Sequence, residues 1–166
     1  MVIVVIALVL LITGSTGCFG GQQQTQKKAS EIILTASEIP GTWTEGGLQA
    51  FTPPSYTSNY AIKNFRGEVA GAYVEIRVCV YESESKAREV YQYGLNNFTY
   101  LTITHPDIGD EAFMYLKNTG TSGGSYMVIS LREGLVNVAA VTGCRSGSTI
   151  SEQWFIDLMR TQVSRI

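Results

Sequence analysis

The chain has 166 residues, a formal net charge of −2 and 16% charged residues. That length makes a single domain with room for a proper core. The slightly acidic balance lacks the basic stripe that nucleic acid requires, and so excludes it as a partner.

The chain opens on an unbroken apolar run, Val2 to Ile12, then the small residues Thr13-Gly14-Ser15-Thr16-Gly17, then Cys18. An export signal has an apolar stretch of about 7–15 residues before a small-residue cleavage site, and usually a basic start. No Lys or Arg precedes the run here, so the start is atypical or lies upstream. The run itself is too short for a hydrocarbon core of about 30 Å at about 1.5 Å per residue, which argues against an uncleaved anchor. Ser15-Thr16-Gly17-Cys18 followed by Phe19-Gly20-Gly21 resembles the looser archaeal lipoprotein signals. The reading is a signal peptide over residues 1–17 and a lipid-modified Cys18. A thioether-linked pair of chains there holds a protein stably, where one chain would not. Residues 18–29, rich in Gly, Gln, Thr and Lys, then form a flexible tether with little to offset the entropy of ordering. A single domain follows over residues 30–166, on the outer face of the cell membrane.

Within the domain, Ile32-Ile33-Leu34 is a short apolar run, and Thr35 to Gly41 is a turn punctuated by Pro40 and Gly41. Strands are expected at Gln49–Thr52, Tyr60–Phe65 and Ala72–Tyr81. In the last, Val74, Ile76, Val78 and Val80 form a core face and Tyr73, Glu75, Arg77 and Cys79 the opposite one. A helix spans Glu84–Asn96 with Ser83 as N-cap and Ala87, Val90, Tyr91 and Leu95 on one stripe. Phe98–Ile103 reads as a strand. Glu111–Lys117, Ser125–Leu131 and Leu135–Thr142 form an antiparallel meander, because their connections are too short for parallel crossovers. A closing helix runs from Ile150 to about Ser164, with Thr149 as cap and Glu152 completing a capping box. About six strands and two helices make an α+β fold, one antiparallel sheet with both helices packed on a single face.

Three segments carry a resemblance: Leu34-Thr35-Ala36-Ser37-Glu38-Ile39-Pro40-Gly41-Thr42-Trp43, Ile108-Gly109-Asp110-Glu111-Ala112 and Leu131-Arg132-Glu133-Gly134-Leu135-Val136-Asn137-Val138. In order and spacing they resemble the extracellular domains of actinobacterial receptor kinases and their stand-alone lipoprotein relatives, and also the PsbP/Mog1 α+β sandwich. The resemblance covers about residues 30–165 and implies a binding or sensing module without a catalytic centre or cofactor.

With Cys18 spent on lipid, Cys79 and Cys144 remain as an even pair in an exported protein, which predicts a disulfide over two buried thiols. Closing a loop of about 65 residues is worth roughly 4 kcal/mol in the chain-entropy model. His105, Asp107, Asp110 and Glu111 are the ionisable cluster containing the one His. They are weak candidates for a metal, because Pro106 and Gly109 describe an ordinary turn. A hydrolase using His105 lacks any Gly-x-Ser-x-Gly elbow. Asn97-Phe98-Thr99 is a glycosylation acceptor sequence at a helix end.

Six of the nine Tyr residues, Tyr56, Tyr60, Tyr73, Tyr81, Tyr91 and Tyr93, either cover ordinary surface or line a groove for an apolar ligand or sugar. The candidate ligand residues are Tyr73, Glu75, Arg77 and Tyr81, on the strand face opposite the core. The function expected is a lipid-anchored module that binds or senses a small ligand or envelope component. The alternative is a structural or assembly lipoprotein that binds another envelope protein.

Overall fold

A computed structural model describes residues 27–46, 57–68, 71–98, 100–118, 125–144 and 150–166. The signal segment, Cys18, most of the tether, the strand expected at Gln49–Thr52, Tyr56 and Thr149 lie outside these. Seven antiparallel strands form one sheet: β1 (Trp43–Gly46), β2 (Asn59–Gly67), β3 (Tyr73–Val80), β4 (Ile103–Thr104), β5 (Glu111–Asn118), β6 (Ser125–Glu133) and β7 (Val136–Gly143). Their order across the sheet is β1-β2-β3-β7-β6-β5-β4. Three α-helices, α1 (Ala29–Ile32), α2 (Glu84–Asn96) and α3 (Glu152–Val163), and one 3-10 turn at Ala36–Glu38 complete the described elements.

The period-two pattern sorts the two sheet faces. On one face Val74, Ile76 and Val78 of β3, Val138 and Ala140 of β7, and Ile129 and Leu131 of β6 are buried. Phe155, Leu158 and Met159 of α3 and the run Ile32-Ile33-Leu34 pack against them. The N-terminal run is clamped by α3. Gln162, fully buried, accepts from the Leu34 N–H at 3.1 Å and donates to the Ile32 carbonyl at 2.8 Å. Arg165 adds a bond to the same carbonyl at 2.9 Å and an ion pair to Glu38.

The opposite face is not left open, which corrects the expectation that both helices share one side. α2 leaves the end of β3, crosses β7 and β6 on this second face, and delivers the chain to β4 at the far edge. The reason lies in β5, β6 and β7. Phe113 and Tyr115 of β5, Tyr126 and Val128 of β6, and Val141 of β7 all point to this face by register. Such an apolar surface must be buried against another element. The expectation rested on each helix having a single apolar stripe, which fits one sheet face as well as two.

Other boundaries differ for local reasons. The apolar run at Ile32 is preceded by one helical turn, and β1 pairs Trp43 with Gly67, so the strand count rises to seven and the helix count to three. Phe98, Tyr100 and Leu101 lie in turn or bend rather than strand. Phe98 and Leu101 donate backbone bonds to Leu95 and Phe98, and the Phe98 ring packs 4.9 Å from Tyr115. Only Ile103–Thr104 pairs with β5. Ser83 caps α2 as expected, accepting from the Lys86 N–H, whereas α3 is capped by Ser151, which accepts from Trp154 N–H. Gly109 adopts φ +64°, and a Cβ there would lie 2.7 Å from the Arg132 carbonyl, so this turn requires glycine.

The turn before β1 is held by a charge. The Glu38 carboxylate accepts from the Thr35 hydroxyl at 2.7 Å and its N–H at 2.8 Å, and pairs with Arg165. The Thr35 bonds first, then Arg165, hold its carboxyl below the ordinary value of 4.5. A depressed folded-state value gives stability that is complete above the unfolded-state value and is lost as pH falls through the folded one. Unfolding free energy measured from about pH 6 down to about pH 3 should therefore fall less steeply in Glu38→Gln than in the wild type. Parallel slopes would remove Glu38 from the acid sensitivity.

Candidate functional site

The second sheet face holds a hollow, because the residues at its centre are small. The register aligns Ile62, Arg77, Ala139, Ser130 and Phe113 in one row across β2, β3, β7, β6 and β5. Ala139 and Ser130 are too short to reach α2 above them. The result is a groove of about 490 Å³ between α2 and the sheet. Val90, Tyr91 and Gly94 of α2 form its roof, with Phe98 at the end of the helix. Tyr60, Cys79, Tyr81 and Asn137 close one end of the floor, and Tyr115, Tyr126, Val128 and Val141 the other.

Its electrostatics are quiet. Among the described lining residues Arg77 carries the one full charge, and its Nε and Nη2 lie 2.6 and 2.5 Å from Glu75 Oε1. Burial raises the Cys79 thiol and the Tyr81 phenol, and pushes Tyr91 up to about 12. All three are therefore neutral near pH 7. A thiol so placed is a poor nucleophile. Asn137 donates to the Ala87 carbonyl at 2.9 Å, pinning the first turns of α2 over the groove. Further along, Gln92 and Arg88 of α2 reach Glu111, which also accepts from Arg132 at 2.8 Å.

Of the residues expected to bind ligand, Arg77 and Tyr81 line this groove. Glu75 stands behind Arg77 as its ion partner. Tyr73 does not reach it: its ring lies over Gly143, where a Cβ would sit 2.8 Å from it. Tyr60 and Tyr91 line the groove, and Tyr93 is exposed on the outer side of α2. Sequence reading missed Ala139, Ser130 and Phe113. A small-residue pair on adjacent strands is visible only once register is known.

The cysteine expectation is corrected. Cys79 pairs with Asn137, whereas Cys144 follows Gly143, the partner of Tyr73. Seven residues at roughly 3.3 Å each separate them by about 23 Å, far beyond the roughly 7 Å Cα limit of a disulfide. Cys79 faces the groove, and Cys144 lines a second hollow of about 450 Å³ on the core side, beside the stacked Trp43 and Trp154. Neither is in a disulfide.

His105, Asp107 and Asp110 do not converge. His105 Nδ1 lies 3.0 Å from the Ala112 carbonyl, while Asp110 pairs with Arg132 at 2.8 Å and accepts from the Gly134 N–H. No metal-binding cluster of His, Cys, Asp and Glu occurs among the described residues. Asn97 is exposed at the C-terminal cap of α2. Among the described residues no helix is long and apolar enough to cross a membrane.

Comparison with known proteins gives a fold likeness. No protein-family model matches the chain, and no curated protein sequence matches it significantly. Among solved structures it is similar to the extracellular domain of PknH from Mycobacterium tuberculosis, with a TM-score of 0.55 and 13% identity. The match covers 82% of this chain and 93% of that one. At that identity the likeness is one of fold. It agrees with the resemblance to receptor-kinase extracellular domains carried by the three turn segments.

Proposed function

We propose that this protein is a non-enzymatic binding or sensing module, held at the outer face of the cell membrane by lipid on Cys18. It takes a small ligand into the groove between α2 and the sheet. The observation that carries the reading is the groove itself: apolar walls, few convergent polar groups, and a roof helix tied to the floor at Asn137 and Glu111. Such a cavity is the general form of a small-molecule site. The fold likeness to an extracellular domain supports placement outside the membrane. A flat, pocketless face would instead have favoured the assembly reading. The hydrolase reading finds no support at His105, whose hydrogen-bond partner among the described residues is the Ala112 carbonyl rather than a serine hydroxyl.

The test is native mass spectrometry of the full chain extracted from its own membranes, beside an Ala139→Phe variant whose added ring fills the groove. The expected wild-type mass begins at Cys18, carries lipid, and includes a second, dissociable small-molecule mass that Ala139→Phe lacks. A mass retaining residues 1–17 would refute the anchor. A small molecule held equally by both proteins, or by neither, would refute the groove.

A further inference from the structure

We propose that the groove selects electrically neutral, largely apolar ligands, and that Glu75 is the residue that enforces this by neutralising Arg77. The inference rests on the groove reading above and adds the chemistry of the occupant.

Size comes from the volume. At about 30 Å³ per water, 490 Å³ corresponds to roughly 16 non-hydrogen atoms, the bulk of two or three linked rings or a medium-length chain. Shape comes from the walls. Tyr91, Phe98, Phe113 and Tyr115 form a continuous aromatic cluster with ring centroids 4.9–6.0 Å apart. Flat rings stack well on such a surface.

Charge comes from the pair at β3. Glu75 and Arg77 are two residues apart and therefore share a face. The Glu75 carboxylate already occupies the guanidinium edge that a ligand anion would seek. The pair as a whole carries no net charge to draw an anion, so an anionic ligand gains little at Arg77 to offset the desolvation of its own charge against the apolar walls. A cationic ligand likewise finds no net negative charge in the lining, since Glu75 is taken up by Arg77. A sugar would turn most of its hydroxyls towards Ile62, Phe113 and Val128, whose side chains offer no hydrogen-bond partner. Among the uncharged polar side chains of the lining, Ser130, Tyr81 and Asn137 suit at most one or two uncharged hydroxyl, amide or amine functions.

Cys79 supplies a built-in reporter, since it lines the groove while Cys144 lies elsewhere. The full chain in its native membranes is treated with N-ethylmaleimide, and modification of Cys79 and Cys144 is followed separately by peptide mass spectrometry. The probes are anilinonaphthalene, which is neutral, and anilinonaphthalene sulfonate, the same skeleton with a permanent negative charge. At about nine times its Kd the neutral compound should slow Cys79 about tenfold, with Cys144 unchanged. The sulfonate should give little protection in the wild type and clear protection in Glu75→Gln, where the charge of Arg77 is no longer balanced by Glu75. Comparing the two proteins in the same membranes cancels the unequal partitioning of the probes.

Equal protection by both compounds, unaltered by Glu75→Gln, would overturn the charge selection and leave the groove intact. If Ala139→Phe slows Cys79 but neither compound does, the ligand class proposed here is wrong and the groove again survives. If Ala139→Phe and both compounds leave Cys79 unaffected, the groove reading falls and this inference with it.

Discussion

Replacing Phe155 with alanine should destabilise the protein by about 4 kcal/mol, the largest effect expected of any single truncation described. Phe155 is fully buried on α3, in the core formed with β3, β7 and β6 and the N-terminal run. Removing its ring loses the transfer energy of the side chain and leaves a cavity that a sheet braced on its far face cannot close. Phe155→Leu retains most of the volume and should cost about 1.5 kcal/mol or less. Urea unfolding followed by tryptophan fluorescence reads both, because Trp154 on the same helix stacks on Trp43 at 5.7 Å. A loss under about 1 kcal/mol for Phe155→Ala would mean that α3 is not the main cover of this face.

The second large effect is expected at Arg132. Its side chain is 3% exposed on the groove face, and it holds Asp110 and Glu111 at 2.8 Å each and the Gly134 carbonyl at 3.1 Å. Arg132→Leu should cost about 3 kcal/mol, the lower end for a broken buried pair, because both carboxylates retain partial access to water. The damage should not be local. Glu111 also binds Gln92 and Arg88, so α2 loses one of its ties to the sheet. Amide exchange in Glu84–Asn96 should therefore accelerate more than in β3 or β7. Uniform acceleration across the sheet would show that Arg132 holds the fold as a whole rather than the roof of the groove.

Much of this architecture is legible in the chain. The alternation Val74, Ile76, Val78, Val80 is a clean period of two, and it marks β3 and its buried face correctly. Glu84–Asn96 behind Ser83 is a helix with its cap, and its bounds are found to the residue. The short links from Glu111 onward dictate an antiparallel meander. Such features depend on residues close in sequence, so local geometry decides them.

What the sequence by itself determined is thus the set of main strands and helices, the antiparallel α+β class, and the polar second face of β3 where Arg77 and Tyr81 meet the groove. The tertiary structure alone decided which side of the sheet each helix covers. That depends on the summed apolar character of five strands brought side by side, and β3, the clearest strand, is the least representative of them. It decided the fate of the two cysteines, since an even count says nothing of the register that holds Cys79 and Cys144 at opposite ends of neighbouring strands. It also decided the groove. Ala139 and Ser130 are unremarkable small residues until pairing sets them side by side beneath α2. A cavity is a property of what neighbouring side chains fail to fill, and only the assembled sheet determines which side chains are neighbours.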